Sequence, residues 1–277
     1  MITFPCCKIN LGLDIVSKRA DGYHNLETLF YPVPLVDILE ITINDKKEAP
    51  QYTFSMHNAQ FSGSDDDNLV IKAYKALAAD HRLPCVNISL YKNIPTGAGL
   101  GGGSSDAAFA LKMLNEIASL HLSDEDLERY AATIGADCAF FVKCVPAFAT
   151  GIGNELSKVD CSLAGYHIVL VKPDIHISTK EAYSLVTPSY PTVPLLDIIP
   201  RPINMWASSM KNDFERSVFA KYPHMEDIKN KLYRMGALYA SMSGSGSAFY
   251  GIFEQAQSQE ELARLFPDCF IHRRLYP

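Results

Sequence analysis

The sequence has no long hydrophobic run and no recognisable targeting segment. No apolar stretch approaches the roughly 18 residues that a membrane-spanning helix needs. The first residues, MITFPCCKINLGLDIV, lack the basic region, the apolar region and the small-residue cleavage site of a secretion signal. We therefore expect a cytoplasmic protein with no membrane partner.

Positive charge is also in short supply. Lys and Arg number 25 against 31 Asp and Glu, which gives a formal net charge of −6. Nucleic-acid-binding proteins usually carry a basic patch or a basic domain, so we expect no nucleic-acid partner. A phosphorylated small molecule is still allowed, because a ligand responds to the local field rather than to the net charge.

Paired-cysteine motifs are absent as well. The chain has seven cysteines, an odd number, at irregular spacing and without a Cys-x-x-Cys arrangement. Disulfide-rich domains and zinc sites usually show even numbers or regular spacing. We expect reduced thiols that pack in the interior, including the adjacent residues Cys6 and Cys7.

What the sequence does contain is the composition of an ordinary globular protein. Apolar residues make up 48% of the 277 positions and charged residues 20%, and this length predicts one or two domains. Strand patterns begin each half, and helices do not alternate strictly with them, which favours an α+β fold with largely antiparallel sheets. The predicted strands are 7–15, 26–33, 37–43, 52–56, 86–91, 139–142, 146–153, 166–172, 238–242, 248–253 and 269–275. The predicted helices follow a cap at Asp67 or Asn68, cover 104–119, start at Ser123, and cover 212–220, 225–235 and 258–265.

A glycine-rich segment precedes the long predicted helix, and it is the most informative part of the chain. Residues 95–105 read PTGAGLGGGSS. Glycine lets a backbone turn its N–H groups inward, and the first N–H groups of a helix have no intrahelical partner. A glycine loop that leads into a helix therefore binds anions, most often phosphate.

Three types of phosphate-binding loop compete for this segment. The nucleoside-triphosphate P-loop is excluded, because no lysine follows the glycines. The dinucleotide pattern G-x-G-x-x-G is present at Gly97, Gly99 and Gly102, but a helix end and a helix start stand where its second strand and acidic residue belong. The third type is a glycine-serine loop that follows Pro95 and leads into a helix. An NAD-dependent oxidoreductase and a nucleotide-binding module without catalysis stay open as alternatives.

Several motifs carry a resemblance to a known family. PTGAGLGGGSSDAA is similar to the central phosphate-binding motif of the GHMP kinases (galacto-, homoserine, mevalonate and phosphomevalonate kinases), usually P-x-x-x-G-L-G-S-S-A. The longer run GLGGGSS is similar to one branch of that family. KINLGLDIVSKRADGYHNLETLF resembles the first motif of the branch and SMSGSGSAFYGIF its third, and GADCAFFV, DDDNLVIKA and KNDFE match in place.

The resemblance implies a fold and an activity. The fold is the two-domain GHMP kinase fold, with a ribosomal-protein-S5-domain-2-like domain over 1–157 and an α/β-plait-like domain over 158–277. The branch phosphorylates the 2-hydroxyl of a cytidine-diphosphate-linked methylerythritol with ATP, on a route to isoprenoids, and we expect a monomer or homodimer. The nearest alternative is a mevalonate, homoserine or galactose kinase of the same family. Those acceptors carry no base, so such a chain would not need Tyr23 and His24.

The resemblance also assigns catalytic residues. Asp137 would be the carboxylate that orients the acceptor hydroxyl and takes its proton, and Lys8 would stabilise charge that develops during transfer. Asn10 lies two residues after Lys8 and so on the same face of a strand. From the residues alone, Asp137 would be a turn or cap residue and Lys8 a lysine on an outward strand face.

Binding residues follow from the same resemblance. Tyr23 and His24 would recognise cytosine, with Tyr183 as a second aromatic ring, although by themselves His24 fits a surface position and Tyr183 fits helix packing. The substrate residues are Asn10, Tyr23, His24, Thr179, Tyr183, Gly244 and Ser245. The ATP residues are Asn68, Lys92, Pro95, Thr96, Gly97, Ala98, Gly99, Leu100, Gly101, Gly102, Gly103, Ser104 and Ser105. Ser105 is also the candidate ligand for Mg²⁺, because no pair of aspartates clearly supplies a metal site.

Overall fold

The computed structural model describes residues 1–46, 50–59, 63–184 and 186–276. These residues form two compact units. Unit 1 comprises Met1–Cys7, Leu35–Thr96 and Gly101–Val145, and unit 2 comprises Lys8–Pro34, Gly97–Leu100 and the residues from Pro146 onward. The domain boundary between residues 157 and 158 stays a prediction.

The elements within the described ranges follow the predicted order. The strands are β1 (Ile2–Thr3), β2 (Cys6–Lys18), β3 (His24–Val36), β4 (Ile38–Ile43), β5 (Tyr52–His57), β6 (Val86–Tyr91), β7 (Ala147–Thr150), β8 (Glu155–Lys158), β9 (His167–Lys172), β10 (Tyr239–Met242), β11 (Phe249–Phe253) and β12 (Phe270–Leu275). The α-helices are α1 (Leu69–Asp80), α2 (Gly102–Ile117), α3 (Asp124–Ile134), α4 (Phe140–Lys143), α5 (Thr179–Ser184), α6 (Leu195–Ile198), α7 (Asp213–Lys221), α8 (Pro223–Arg234) and α9 (Gln259–Leu265). In these ranges no helix is both long and apolar enough to span a membrane.

Unit 1 is built on one four-stranded sheet in the order β1-β4-β6-β5. β4 pairs antiparallel with β1 and β6, whereas β5 pairs with β6 in parallel. Helices α1 and α2 pack against each other, and α2 also contacts β4. The apolar spacing of α1 explains this packing, since one helical face buries Val70, Ile71, Tyr74 and Leu77.

Unit 2 contains two further sheets, in the orders β2-β3-β7-β8 and β10-β11-β9-β12. The ladders β3–β7, β7–β8, β10–β11, β11–β9 and β12–β9 are antiparallel, which confirms the predicted α+β class. One hydrophobic cluster joins β2, β9 and β11 to α7 and α8. Its members include Leu13, Ile15, Val169, Val171, Phe214, Val218, Ile228, Leu232, Phe249 and Phe253. The cluster fixes β2 relative to the loop that follows β10.

One predicted strand is wrong. The apolar run over 139–142 was expected to be extended, but residues Phe140–Lys143 form α4. Phe140, Phe141 and Val142 are all buried, and a short continuous apolar run has no alternation that would distinguish a strand from a buried helix. Burial therefore outweighs the β-preference of aromatic and branched side chains here.

Helix starts agree with the predicted caps. Asn68 caps α1, because its side chain accepts a hydrogen bond from the Val70 N–H. Ser123 and Asp126 form a reciprocal capping box at the start of α3. The helix α2 begins two residues earlier than predicted, so Gly102 and Gly103 belong to its first turn.

Candidate functional site

In unit 2, the glycine segment is held by backbone hydrogen bonds on both sides. The N–H of Lys8 donates to the Leu100 carbonyl at 2.9 Å, and the N–H of Ala248 donates to the Ala98 carbonyl at 3.1 Å. The Ser243 hydroxyl donates to the Gly99 carbonyl at 2.9 Å. These contacts bring the loop that contains the second glycine motif against Ala98 and Gly99, and they join Leu100 to Lys8 in β2.

Gly99 shows why this segment needs glycine. Its φ of +75° lies in the left-handed region, and a Cβ there would sit 2.0 Å from the Ser243 carbonyl oxygen. Gly244 approaches from the other loop, which follows β10, and a Cβ there would be 3.3 Å from the Gly99 Cα. At Gly99 the two loops therefore pass at a distance that excludes a Cβ, whereas at Gly244 a Cβ would be a tight contact.

In unit 1, the first turn of α2 presents its backbone N–H groups at the end of the glycine segment. Gly101 adopts a left-handed conformation before the helix, and the Ser105 N–H is the one that bonds back to the Gly101 carbonyl, at 2.9 Å. The N–H groups of Gly102, Gly103 and Ser104 precede it and have no intrahelical acceptor. The Ser105 hydroxyl is buried without a hydrogen-bond partner among the described residues. This first turn offers donors and one oxygen ligand to an anion or its counter-ion.

Asp137 lies in the turn between α3 and α4. Burial raises the pKa of the Cys138 thiol to about 12, and a hydrogen bond from Ser104 opposes that rise while the charge of Asp137 adds to it. Cys138 therefore contacts Ser104 of the first turn of α2, and Asp137 is the residue directly before Cys138. The role of Asp137 in catalysis stays a prediction.

Lys8 is buried in unit 2, with 3% of its surface exposed, so it is not the solvated lysine that strand alternation alone would suggest. Its Nζ donates to Asn10 Oδ1 at 2.6 Å and lies 5.0 Å from the centre of the Phe30 ring. Asn10 Nδ2 donates to Thr28 Oγ1 at 2.9 Å, and Thr28 donates to the Gly12 carbonyl at 2.5 Å. This chain of hydrogen bonds holds the ammonium group on a defined face of β2.

Residues of the KNDFE motif support the second glycine loop. The sequence alone did not show this role of the motif. Asn212 Nδ2 donates to the carbonyls of Met242 and Gly244 at 2.8 and 2.9 Å. Glu215 Oε1 accepts from the Ser241 hydroxyl and the Met242 N–H at 2.9 and 2.8 Å. Asn212 also caps α7 through the Phe214 N–H. The start of α7 is therefore a fixed support for the loop.

Aromatic rings meet at the turn before β3. His24 stacks on Tyr183 with ring centroids 5.0 Å apart, and Tyr183 packs edge-on against Phe214 at 4.9 Å. Partial burial, followed by the charge of Lys18, lowers the pKa of His24. Tyr23 is 62% exposed. The structure thus gathers His24 and Tyr183 and leaves the Tyr23 ring accessible to a flat ligand.

The remaining predicted substrate residues lie on two loops of unit 2. The hydroxyls of Thr179 and Ser245 are 3.5 Å apart, at the limit of a hydrogen bond. Thr179 opens α5, the helix that carries Tyr183. Helix α5 therefore contacts the glycine-serine loop through Thr179 and carries Tyr183 of the aromatic cluster.

Lys92 belongs to a buried ionic cluster in unit 1 that the sequence did not reveal. Its ammonium contacts both the Asp37 carboxylate and Asp106 Oδ2, the latter at 2.6 Å. Asp37 also accepts from the N–H groups of Asn93 and Ile94 at 2.6 and 2.8 Å. The cluster ties the end of β6 to α2 just after the glycine segment, while an ATP contact of Lys92 stays a prediction.

Protonation in this cluster follows from burial. Burial raises the pKa of Asp106 to about 7, although the nearby Lys92 charge lowers it. Burial alone would lower the pKa of Lys92, but the charges of Asp106 and Asp37 outweigh it and raise that pKa. One cation thus faces two carboxylates, and burial favours the protonated form of Asp106.

Two family models match the chain. One describes the GHMP kinases N terminal domain and matches residues 68–144, and the other describes the GHMP kinases C terminal region and matches residues 200–271. The first contains α2 with the glycines at its start, and the second contains the KNDFE motif and the second glycine loop. The class of protein that the fold and these motifs define is a GHMP kinase, a phosphotransferase that uses ATP. The oxidoreductase interpretation of Gly97, Gly99 and Gly102 is therefore wrong.

Relatives define the branch. The chain is 59% identical over 271 residues to the 4-diphosphocytidyl-2-C-methyl-D-erythritol kinase of Bacteroides fragilis, and the match covers 98% of each chain. It is 54% identical over 254 residues to the enzyme of that name from Bacteroides thetaiotaomicron, and this match covers 92% of each chain. A crystal structure of a 4-(cytidine 5'-diphospho)-2C-methyl-D-erythritol kinase matches with a TM-score of 0.79 and 29% identity over 99% of this chain and 98% of that one. The chain belongs to the 4-diphosphocytidyl-2-C-methyl-D-erythritol kinase family of the GHMP kinases.

Proposed function

We propose that this chain transfers the γ-phosphate of ATP to the 2-hydroxyl of 4-diphosphocytidyl-2-C-methyl-D-erythritol, a step toward isoprenoids. The observation that carries the proposal is the 59% identity to a kinase of that name over 98% of both chains. The products are ADP and the 2-phosphate of the acceptor. The burial of Lys8 and the contact of Ser104 with Cys138, the residue after Asp137, support the same chemistry.

The transfer needs few covalent events. The acceptor oxygen forms a bond to the γ-phosphorus while the bond from that phosphorus to the bridging β–γ oxygen breaks. The hydroxyl proton passes to the Asp137 carboxylate, and ADP keeps the bridging oxygen. Asp137 also orients the hydroxyl in line with the breaking bond, which is the main requirement for a loose transition state.

Lys8 supplies positive charge to the transferring group. Because Asn10 and the Phe30 ring hold its ammonium in a buried position, the charge needs little reorganisation during the reaction. Asn10 has a second role in this proposal, as a hydrogen-bonding partner for the hydroxyls of the acceptor. Thr28 fixes the amide orientation that this role requires.

The glycine segment and the start of α2 hold the triphosphate of ATP. Their backbone N–H groups donate to phosphate oxygens, and the positive end of the α2 dipole favours negative charge. Asn68 and Lys92 contribute near the nucleoside in this proposal. Asn68 acts from the cap of α1, and Lys92 acts through the position that its carboxylate partners give to α2.

Recognition of cytosine is assigned to the aromatic cluster. Tyr23 offers an exposed ring for stacking, and Tyr183 offers a second ring once His24 moves from its stacked position. His24 then hydrogen-bonds the polar edge of the base. Thr179, Gly244 and Ser245 complete the acceptor site through hydroxyl and backbone groups.

Mg²⁺ is the metal that the triphosphate requires, and the residues fit it. The described residues contain no group of three His, Cys, Asp or Glu that could hold a metal. Mg²⁺ in kinases needs few protein ligands, since phosphate oxygens and water fill most of its octahedron. The buried, unpartnered Ser105 hydroxyl is a suitable oxygen ligand. When bound, the ion would neutralise charge on the β- and γ-phosphates.

Release of ADP tests this proposal. The purified chain is supplied with Mg-ATP and, in parallel, with 4-diphosphocytidyl-2-C-methyl-D-erythritol, mevalonate, homoserine or galactose. We expect turnover with the cytidine substrate alone, and a loss of about a hundredfold or more in Asp137→Asn. Asp124→Asn, an exposed aspartate in the first turn of α3, serves as the control and should keep full activity. Turnover with another acceptor, or an active Asp137→Asn, would contradict the proposal.

A further inference from the structure

Two cysteines of unit 1 lie closer together than any packing role requires. The Sγ atoms of Cys6 and Cys144 are 2.7 Å apart, although the residues are 138 positions apart in the chain. A disulfide joins sulfurs at about 2.05 Å, so a small displacement of either side chain would allow the bond. Both side chains are half-buried rather than fully enclosed, so a small oxidant reaches them.

The backbone holds Cys144 in this position. Cys144 directly follows α4 with φ of 51° and ψ of 47°, a left-handed conformation that is uncommon for any residue with a Cβ. Its N–H donates to the Phe140 carbonyl at 2.9 Å and ends the helix. Cys6 begins β2, so each thiol sits at the end of a regular element.

A neighbouring lysine favours the thiolate form of the pair. Lys112 donates to the Val142 carbonyl at 3.0 Å, two residues before Cys144, and its positive charge favours both thiolates. The contact with Cys6 lowers the pKa of Cys144, against burial and the charge of Cys7. The same contact, followed by burial, raises the pKa of Cys6. Either thiol can donate in the Sγ–Sγ contact. Because Lys112 is bonded two residues before Cys144, we take Cys144 as the attacking thiol and Cys6 as the proton donor.

We propose that Cys6 and Cys144 form a redox-active pair that a peroxide converts reversibly into a disulfide. The Cys144 thiolate attacks a peroxide oxygen, the O–O bond breaks, and Cys144 becomes a sulfenic acid while hydroxide leaves. The Cys6 sulfur then attacks the Cys144 sulfur, the S–OH bond breaks, and the Cys6 proton is released to form water. Two thiols are oxidised by two electrons in total, and the peroxide is reduced to two molecules of water.

This pair protects itself from irreversible damage. A sulfenic acid without a neighbouring thiol proceeds to sulfinic and sulfonic acids, whereas a disulfide returns to thiols with a reductant. None of the residues assigned to phosphate transfer takes part. The pair is thus a site of its own and does not rest on the proposed kinase reaction.

Peptide mapping of the wild-type chain tests the bond directly. The reduced protein is exposed to a small excess of hydrogen peroxide and then denatured in the presence of N-ethylmaleimide, which alkylates the free thiols. It is digested with trypsin under non-reducing conditions. Trypsin cleaves after Lys8, Lys143 and Lys158. Residues 1–8 therefore carry Cys6 and Cys7, and residues 144–158 carry Cys144 without Cys138. We expect these two peptides joined, with one maleimide on Cys7. Their mass should be two hydrogens less than the sum of the two peptides and that maleimide, and dithiothreitol should separate them again. Unjoined peptides, or residues 144–158 joined to another peptide, would overturn the proposal.

Variants then separate the two roles. Cys7→Ser should still form the joined peptide, which assigns the bond to Cys6. In Cys6→Ser, Cys144 should accumulate as a sulfenic acid that dimedone traps, whereas in Cys144→Ser the Cys6 thiol should stay largely unreacted. Lys112→Met should slow formation of the bond several-fold, because it removes the charge that favours the thiolate. Bond formation lost in Cys7→Ser, or equal dimedone labelling of Cys6 and Cys144, would contradict the assignment.

Discussion

At the scale of the residue, Lys8 is a buried lysine whose surroundings bear on its proposed role in catalysis. Its ammonium is enclosed by Asn10 and Phe30, where its charge is less screened than in water. We predict that Lys8→Met lowers kcat about a hundredfold or more and changes the KM for ATP little, because the charge acts on the transition state. Steady-state kinetics measures both constants.

The control for Lys8 is an exposed lysine. Lys72→Met, on the outer face of α1, should leave kcat within twofold of the wild type, an effect of about 0.4 kcal/mol. Circular dichroism spectra of both variants verify the fold. A Lys8→Met enzyme with nearly full kcat would contradict the proposed role of this lysine in the reaction.

Gly99 gives a second prediction at this scale. Gly99→Ala places a Cβ 2.0 Å from the Ser243 carbonyl oxygen, so one of the two loops must shift. We expect a KM for ATP at least about tenfold higher and a loss of about 1–3 kcal/mol in the free energy of unfolding. Urea unfolding and initial rates measure the two effects.

The matched control is Gly165→Ala. Gly165 also has a positive φ, of +83°, but a Cβ there meets nothing within 4 Å. It should cost about 1 kcal/mol for the left-handed conformation and leave the KM for ATP unchanged. Equal effects of the two substitutions would show that backbone conformation, and not the contact with Ser243, makes Gly99 necessary.

At the scale of the element, the cluster of Lys92, Asp37 and Asp106 couples α2 to β6. The pKa of Asp106 is raised to about 7 in the fold, against about 3.9 in the unfolded chain. The folded state therefore binds a proton that the unfolded state lacks between about pH 4 and 7. The stability that this group contributes is complete below that window and is lost as pH rises through it.

Asp106→Asn tests this dependence. The variant keeps an oxygen for Lys92 and removes the titration, while Asp37 stays as the counter-ion. Across the window, the free energy of unfolding of the wild type should fall relative to the variant, by up to about 1.4 kcal/mol for each pH unit. Urea unfolding at a series of pH values measures it, and parallel curves for the two proteins would contradict the assignment.

A variant of the α3 cap should lower stability and leave activity unchanged, whereas the Lys8 variant should lower activity. Ser123 Oγ accepts from the Asp126 N–H at 3.2 Å, and Asp126 accepts from the Ser123 N–H at 3.1 Å. Ser123→Ala should lower the free energy of unfolding by about 1 kcal/mol and leave kcat unchanged, because the cap lies a full helix away from Asp137. Thermal unfolding together with the ADP assay verifies this, and a strong fall in kcat would show that α3 positions the carboxylate more directly.

Local signals explain which elements could be predicted from the sequence. Asn68, Ser123 and Ser258 each cap a helix in the structure, because a short polar side chain before an apolar period is a local signal. The run over 139–142 has no such signal, and its helix depends on burial. The cluster around Lys92 joins residues 14 and 55 positions apart, so no local pattern could reveal it.

At the scale of the whole molecule, the order of motifs predicted the family, but not the contacts among them. The first strand motif, the glycine segment and the second glycine loop were recognisable in the sequence. Their meeting in unit 2 depends on Asn212 and Glu215, whose hydrogen bonds span 26 to 32 positions. The KNDFE motif was recognised as a match, whereas its role as the support of the loop required the structure.

The specificity constant for the acceptor tests the central claim most directly. kcat/KM is measured with Mg-ATP for 4-diphosphocytidyl-2-C-methyl-D-erythritol and for 2-C-methyl-D-erythritol 4-phosphate, which has the same reacting hydroxyl but no cytidine. We predict turnover of the first with phosphate at the 2-hydroxyl, and a value at least about a hundredfold lower for the second, because stacking and hydrogen bonds to the base are lost. Equal values for the two acceptors, or phosphate at another hydroxyl, would contradict the account.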